Sequence, residues 1–113
     1  MVEILHNPRC RKSREALLLL EEIGANIQVI DYLKEPISVE RLTEVVQQLG
    51  IKPDELLRKN EAIFKEQFKG KELSDKQWIQ AMVDYPKLME RPIVISNGKA
   101  VVARPAEKLK EII

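Results

Sequence analysis

The chain has 113 residues, which is the size of one folded globular domain. Hydrophobic residues make up 44% and charged residues 33% of the sequence, so a disordered or fibrous chain is excluded. The 19 basic and 18 acidic residues leave a net charge of +1, so we expect no broad surface for nucleic acid or for an anionic membrane.

Neither a membrane span nor an export signal is expected. The longest apolar run, "ALLLL" at 16–20, is far shorter than the roughly 20 residues that cross a bilayer. The first residues, "MVEILHN", lack the charged and apolar regions of a signal peptide. The lone cysteine cannot form an internal disulfide, so we expect the cytoplasm, where thiols stay reduced.

The first third of the chain predicts a strand, a helix and a second strand. The segment "VEILH" at 2–6 is of strand type and precedes the turn signal Asn7-Pro8. A helix is expected to begin between Asn7 and Cys10, with Asn7 as its N-cap and Pro8 in its first turn. The segment "NIQVIDYL" at 26–33 then predicts a strand parallel to the first, joined by a right-handed crossover.

The middle of the chain, over about 38–88, is predicted to be helical. One of its helices is expected to open with a capping box formed by Ser74 and Gln77. Near the end, Asn97-Gly98 separates two runs of strand type, which indicates a β-hairpin, and a last helix follows.

This order of elements is β-α-β, a helical insert, then β-β-α. It is the order of an α/β thioredoxin-like fold with helices inserted between its halves, and we expect one such domain over residues 1–113. In that fold the loop after the first strand carries the reactive thiol. Cys10 stands in that loop.

Cys10 is the only cysteine of the chain, and it lies among cationic residues at the predicted helix start. The thiolate is the nucleophilic form of cysteine, and a free thiol with a pKa of about 8.5 is mostly protonated at neutral pH. Backbone N–H groups at a helix N-terminus favour an anion, and Arg9, Arg11, Lys12 and Arg14 add positive charge. We therefore expect a lowered pKa for the Cys10 thiol, with a buried apolar cysteine as the alternative.

Five further residues are candidates for the same site. Ser13 could donate a hydrogen bond to the sulfur, and His6 could add positive charge or orient a partner. Both also have a plain structural interpretation, as a helix-start hydroxyl and a strand-end histidine. The other candidates, Arg58, Arg91 and Arg104, each adjoin a break in the predicted structure. Converging arginine side chains bind a tetrahedral oxyanion bidentately, although a single arginine is more often a solvent-facing residue.

Four segments, in this order and at these separations, resemble the glutaredoxin-linked arsenate reductase family: "HNPRCRKSR", "LLRKN", "RPIVI" and "ARPAE". The resemblance runs over essentially the whole chain and implies a thioredoxin-like fold with a helical insert. It also implies a role for each matching residue. These are a nucleophilic Cys10, thiolate-tuning His6 and Ser13, oxyanion-binding Arg58, Arg91 and Arg104, and a cis-proline at Pro92.

The resemblance further implies the reaction and its partners. The Cys10 thiolate would attack arsenate, glutathione would reduce the adduct, glutaredoxin would resolve the mixed disulfide, and arsenite would leave. Glutathione is thus expected as a reducing co-substrate, and no cofactor is expected to be bound. Separately, we expect the protein to be a monomer. No metal is expected, because one cysteine and one histidine fall short of the usual three or four zinc ligands.

Two other functions stay open beside the reductase. One is an Spx-type redox regulator, which binds RNA polymerase and senses oxidants with a C-x-x-C pair. Here the pattern is Cys10-Arg11-Lys12-Ser13, and without a second cysteine no intramolecular disulfide switch can form. The other is a thiol- or glutathione-binding module without turnover.

Arg11 departs from the family, which often has a small residue at this position. Access to Cys10 is therefore expected to be narrower or more cationic.

Overall fold

A computed structural model describes residues 1–113, and the chain forms two compact units. The first unit comprises Met1–Glu35 and Arg91–Ile113, and the second comprises Pro36–Glu90. The second unit corresponds to the helical insert predicted over about 38–88. No helix is both long enough and apolar enough to cross a membrane.

The first unit is built on one four-stranded sheet with the order β2-β1-β3-β4. Its strands are β1 (Val2–His6), β2 (Ile27–Asp31), β3 (Ile93–Ser96) and β4 (Lys99–Val102). Strand β1 pairs in parallel with β2 and antiparallel with β3, and β3 pairs antiparallel with β4. The predicted βαβ unit and the predicted hairpin are therefore confirmed.

The helix after β1 begins later than predicted. Helix α1 spans Arg11–Ile23, and its N-cap is Cys10, with φ −92° and ψ 122°. Asn7 instead closes a turn before the helix: its Oδ1 accepts from the N–H of Arg9 at 3.0 Å, and its C=O accepts from the N–H of Cys10 at 2.9 Å. The prediction of Asn7 as N-cap is wrong because the same asparagine oxygen can cap a turn as well as a helix.

The core of the first unit forms where α1 and the end of the chain pack on the sheet. After β4 the chain forms a 3₁₀ helix, Ala106–Glu111, in place of the predicted α-helix. Apolar side chains from all these elements form one buried cluster: Val2, Ile4, Ala16, Leu20, Val94, Ala103, Ala106 and Leu109. Removal of this apolar area from water holds α1 against the sheet and so fixes where Cys10 lies.

The regular elements of the second unit are all helices. It contains α2 (Val39–Leu49), α3 (Ala62–Gln67), α4 (Asp75–Asp84) and two 3₁₀ helices (Pro53–Leu56 and Pro86–Leu88). The predicted capping box of α4 is confirmed, since the Ser74 Oγ accepts from the N–H of Gln77 and the Gln77 Oε1 accepts from the N–H of Ser74. Four aromatic side chains contact one another in this unit: Phe64, Phe68, Trp78 and Tyr85.

Candidate active site

One edge of the sheet carries the candidate residues of the first unit. Strand β1 ends at His6, and the loop to Cys10 follows directly. Because β3 runs antiparallel to β1, with Ile93 opposite Leu5, the start of β3 lies beside the end of β1. Arg91, which precedes β3, is thereby brought to the loop that carries Cys10.

Arg104 reaches the same edge from β4. The pairing of β3 with β4 extends past the strands, since the N–H of Ala103 donates to the C=O of Pro92 at 2.9 Å. The Nη1 of Arg104 lies 3.5 Å from the C=O of Arg91, a long hydrogen bond. The Arg91–Pro92 peptide bond is cis, as the family resemblance implies, and the Arg104–Pro105 bond is cis as well.

The sulfur of Cys10 occupies the N-cap position of α1. A serine or aspartate there would accept from the N–H of the second or third helical residue, which are Lys12 and Ser13 here. The Cys10 sulfur does not meet the geometry of a regular capping hydrogen bond. Burial raises the pKa of the Cys10 thiol, but hydrogen bonds to the thiolate from the Ser13 N–H, the Arg91 side chain and the Lys12 N–H, with the charge of Arg91, outweigh it. The net pKa of Cys10 is lowered, so the site favours the nucleophilic form.

Arg91 retains a donor that the chain itself does not use. Its Nε is buried and has no hydrogen-bond partner. A buried N–H without an acceptor costs free energy, so such groups are normally satisfied by protein, water or ligand. An anion bound beside Cys10 would supply the missing acceptor.

The hydroxyl of Ser13 bonds to His6 and not to the sulfur. Ser13 is fully buried, with 0% exposure, and its Oγ lies 2.7 Å from the Nδ1 of His6. The same Oγ accepts from the N–H of Asn7 at 3.0 Å. Ser13 therefore joins the end of β1 to the first turn of α1, and it acts on Cys10 through its backbone N–H.

His6 is more easily deprotonated than an ordinary histidine. Burial lowers its pKa below 6.5, nearby Asp31 raises it, nearby Arg14 lowers it, and the net direction is down. His6 is therefore mostly neutral at pH 7, and the tautomer of its ring decides whether the Nδ1 or the Ser13 hydroxyl donates in their hydrogen bond. Of the two roles expected for His6, the structure favours orienting a partner over adding positive charge.

Arg58 belongs to the second unit. Its N–H donates to the C=O of Leu88 at 2.7 Å, next to an isolated antiparallel bridge between Leu57 and Met89. Its Nη1 lies 3.1 Å from the Oε2 of Glu61, and its side chain is 21% exposed. The guanidinium thus has one carboxylate partner within its own unit, and its role in oxyanion binding stays a prediction.

The cations that follow Cys10 in sequence make local contacts. Glu15 lies 3.2 Å from the Nε of Arg11 and 3.9 Å from the Nζ of Lys12. The Nη1 of Arg14 donates to the C=O of Pro8 at 3.0 Å. No group of three or more His, Cys, Asp or Glu residues is placed to hold a metal ion.

Comparisons with known proteins identify the family of this chain. Residues 5–112 match the ArsC family. An arsenate reductase of Neisseria meningitidis serogroup A is 39% identical over 99% of this chain and 97% of its own length. The uncharacterized protein YfgD of Escherichia coli K12 is 48% identical over 99% of this chain and 96% of its own.

A solved structure gives the same fold. The arsenate reductase from Vibrio cholerae superimposes with a TM-score of 0.95 at 47% identity, over 99% of this chain and 97% of that one. This similarity confirms the predicted α/β thioredoxin-like fold. Because the family match runs from the end of β1 to the last residues, the chain belongs to the ArsC family.

Proposed function

We propose that this protein is an arsenate reductase whose nucleophile is the Cys10 thiolate. The observation that carries the proposal is a thiol of lowered pKa at the N-cap of α1, beside the side chain of Arg91. Relatives that are named arsenate reductase support the choice of substrate.

The first step joins sulfur to arsenic. The Cys10 thiolate attacks the arsenic atom of arsenate, the bond from arsenic to its hydroxyl group breaks, and the hydroxide departs as water after taking up a proton. The product is a thiol–arsenate adduct in which arsenic is still pentavalent. Arg91 and Arg104 stand at the same sheet edge as Cys10, and their multi-donor guanidinium groups suit the oxygen atoms of this adduct.

The second step reduces the arsenic and needs an external thiol, because the chain has one cysteine. Glutathione thiolate attacks the sulfur of Cys10, an S–S bond forms, and the S–As bond breaks with its electron pair going to arsenic. Trivalent arsenite then leaves after protonation. Glutaredoxin attacks the glutathione sulfur of the mixed disulfide and returns Cys10 as a thiolate.

A coupled assay tests this function. Purified protein is supplied with arsenate, glutathione and glutaredoxin, and arsenite is measured directly. Arsenite formation should require all three, and Cys10→Ser should abolish it without changing the circular dichroism spectrum, because a hydroxyl cannot form the mixed disulfide. Arg11→Gln is the matched control, since this neighbouring side chain is 83% exposed and pairs with Glu15.

Three results would contradict the proposal. Wild-type turnover by Cys10→Ser would remove Cys10 as the nucleophile. Sustained turnover without any added thiol would contradict a mechanism with a single cysteine. Glutathione binding without arsenite formation would identify a binding module in place of an enzyme.

A further inference from the structure

We propose that a cleft beside the Cys10 loop binds the charged ends of glutathione. The cleft has a volume of about 290 Å³, and all the residues around it belong to the first unit. Its lining residues are Asn7, Pro8, Arg9, Asp31, Leu33 and Lys34. This inference rests on the proposed function for the identity of the reductant, and it goes beyond that function in naming where the reductant is held.

The cleft lies where two parallel strands end. His6 is opposite Asp31 in the register of β1 with β2, so the loop after β1 and the turn after β2 leave the sheet side by side. Ligands of open α/β sheets commonly bind at the carboxyl ends of parallel strands. One wall of the cleft is Arg9, whose Cα is only about 3.8 Å from that of Cys10. An extended tripeptide spans roughly 10 Å, so glutathione with its thiol at Cys10 is long enough to reach the cleft.

The charged residues around the cleft equal the charged groups of glutathione in number and are opposite to them in sign. At neutral pH this tripeptide carries two carboxylates and one ammonium group. The cleft offers two cations, Arg9 and Lys34, and one anion, Asp31. A carboxylate in the wall would repel arsenate, whereas it attracts an ammonium group. The charge pattern therefore favours the thiol co-substrate over the oxyanion.

These three charged groups are available to a ligand. No ion pair involves Arg9, Lys34 or Asp31, and no side-chain hydrogen bond involves the first two. One carboxylate oxygen of Asp31 accepts from the N–H of Leu33 at 3.2 Å, which leaves the other oxygen for an ammonium group. The turn is already formed, because the N–H groups of Lys34 and Glu35 both donate to the C=O of Asp31. A preformed turn lowers the ordering cost of binding.

Chasing a preformed mixed disulfide tests the cleft without arsenate. Cys10 is first labelled with thionitrobenzoate through a disulfide, and the released chromophore is followed after addition of glutathione or of uncharged 2-mercaptoethanol. Arg9→Gln and Lys34→Gln should each lower the rate constant for glutathione by about fivefold, the upper range for an exposed ion pair. Neither should change the rate constant for 2-mercaptoethanol. An effect of the substitution on the thionitrobenzoate group would change both rate constants equally, so it cancels in the ratio of the rate constant for glutathione to that for 2-mercaptoethanol.

A second arm tests the recognition of the ammonium group by Asp31. Glutathione acetylated on its amino group should react more slowly than glutathione with the wild-type protein. Asp31→Asn should react equally fast with both compounds, because the charge that distinguishes them is gone. Asparagine keeps an oxygen acceptor for the N–H of Leu33, so the turn should survive the change.

Arg11→Gln is the control for a general field effect. Arg11 also adjoins Cys10, but it pairs with Glu15 and does not line the cleft. A similar loss in Arg11→Gln, equal losses with both thiols, or no loss in either cleft variant would overturn the subsite. The chase contains no arsenate, so it can be interpreted even if the protein fails to reduce arsenate. Conversely, if the cleft variants keep the wild-type preference for glutathione but still reduce arsenate, the glutathione subsite is wrong and the proposed function stands.

Discussion

The side chain of Arg91 stabilises the thiolate of Cys10, although the two residues stand near opposite ends of the sequence. The antiparallel pairing of β3 with β1 accounts for this, because it brings the start of β3 to the end of β1. The charge that acts on the sulfur therefore comes from the residue before the neighbouring strand β3, and its effect adds to that of the N–H groups at the helix start. Thiol reactivity in this protein depends on the sheet register as well as on the loop sequence.

We predict that Arg91→Gln raises the pKa of Cys10. The change removes both a hydrogen bond to the thiolate and a positive charge, while burial, which opposes ionisation, remains. The rate of alkylation by iodoacetamide, followed against pH, reports the thiolate fraction. The midpoint of that profile should move to higher pH in Arg91→Gln and stay in place in Arg11→Gln. An identical midpoint in Arg91→Gln and wild type would show that Arg91 does not lower the pKa of Cys10.

We predict that Ser13→Ala lowers the stability of the fold more than it alters the thiol. The change leaves the N–H of Asn7 and the Nδ1 of His6 without their buried partner, which typically costs about 1 to 3 kcal/mol. The backbone N–H that stabilises the Cys10 thiolate is retained. Urea unfolding measures the free energy of unfolding, and the pH profile of alkylation measures the pKa of Cys10. A rise in the Cys10 pKa as large as that in Arg91→Gln, with unchanged stability, would favour the sequence-based interpretation of a hydroxyl acting on sulfur.

We predict that His6 makes the fold less stable as the pH falls through 6.5. Its pKa is lowered in the folded chain, so the unfolded chain binds the proton more readily. Its contribution to the free energy of unfolding is fully present above 6.5, decreases below that value, and levels off below the folded pKa. Urea unfolding between about pH 5.5 and 7.5 measures the slope. His6→Asn removes the titrating ring and should flatten the slope. If wild type and His6→Asn show the same dependence of the free energy of unfolding on pH, the group that titrates in this range is not His6.

The order of elements was predictable because local signals agree with the fold. The Asn97-Gly98 turn has φ values of 55° and 75°, the conformation that this pair favours between two strands. The capping box at Ser74 likewise depends only on residues within one turn. Such features are encoded locally, so a single sequence is enough to find them.

The details of the site were less predictable because they depend on distant or ambiguous partners. The four cations flanking Cys10 were the obvious source of positive charge, yet the guanidinium that stabilises the thiolate belongs to Arg91. Ser13 could bond to sulfur or to His6, and only the packing of α1 against β1 decides between them. Asp31 was not a candidate from the sequence, although the ends of two predicted parallel strands meet at one edge, which places Asp31 opposite His6.

We predict that replacing Arg58, Arg91 or Arg104 with lysine weakens arsenate binding and slows turnover. Lysine keeps the positive charge but lacks the planar fork that binds two oxygen atoms at once. Losing one charge-assisted hydrogen bond typically costs a factor of roughly ten to a hundred. The dissociation constant for arsenate and the turnover rate are the two measurements. Lys65→Ala and Lys69→Ala are controls, because both side chains are exposed.

A substitution of Glu61, the ion-pair partner of Arg58, should have the opposite effect on arsenate binding. The Nη1 of Arg58 lies 3.1 Å from the Oε2 of Glu61, so an oxyanion at Arg58 would compete with that carboxylate. Glu61→Gln should therefore tighten arsenate binding, while Arg58→Lys loosens it. Lys71 is unsuitable as a further control, since its Nζ lies 5.7 Å from the centre of the Phe68 ring. If Glu61→Gln and Arg58→Lys both bind arsenate as wild type does, Arg58 takes no part in oxyanion binding, and Arg91 and Arg104 alone remain as candidates.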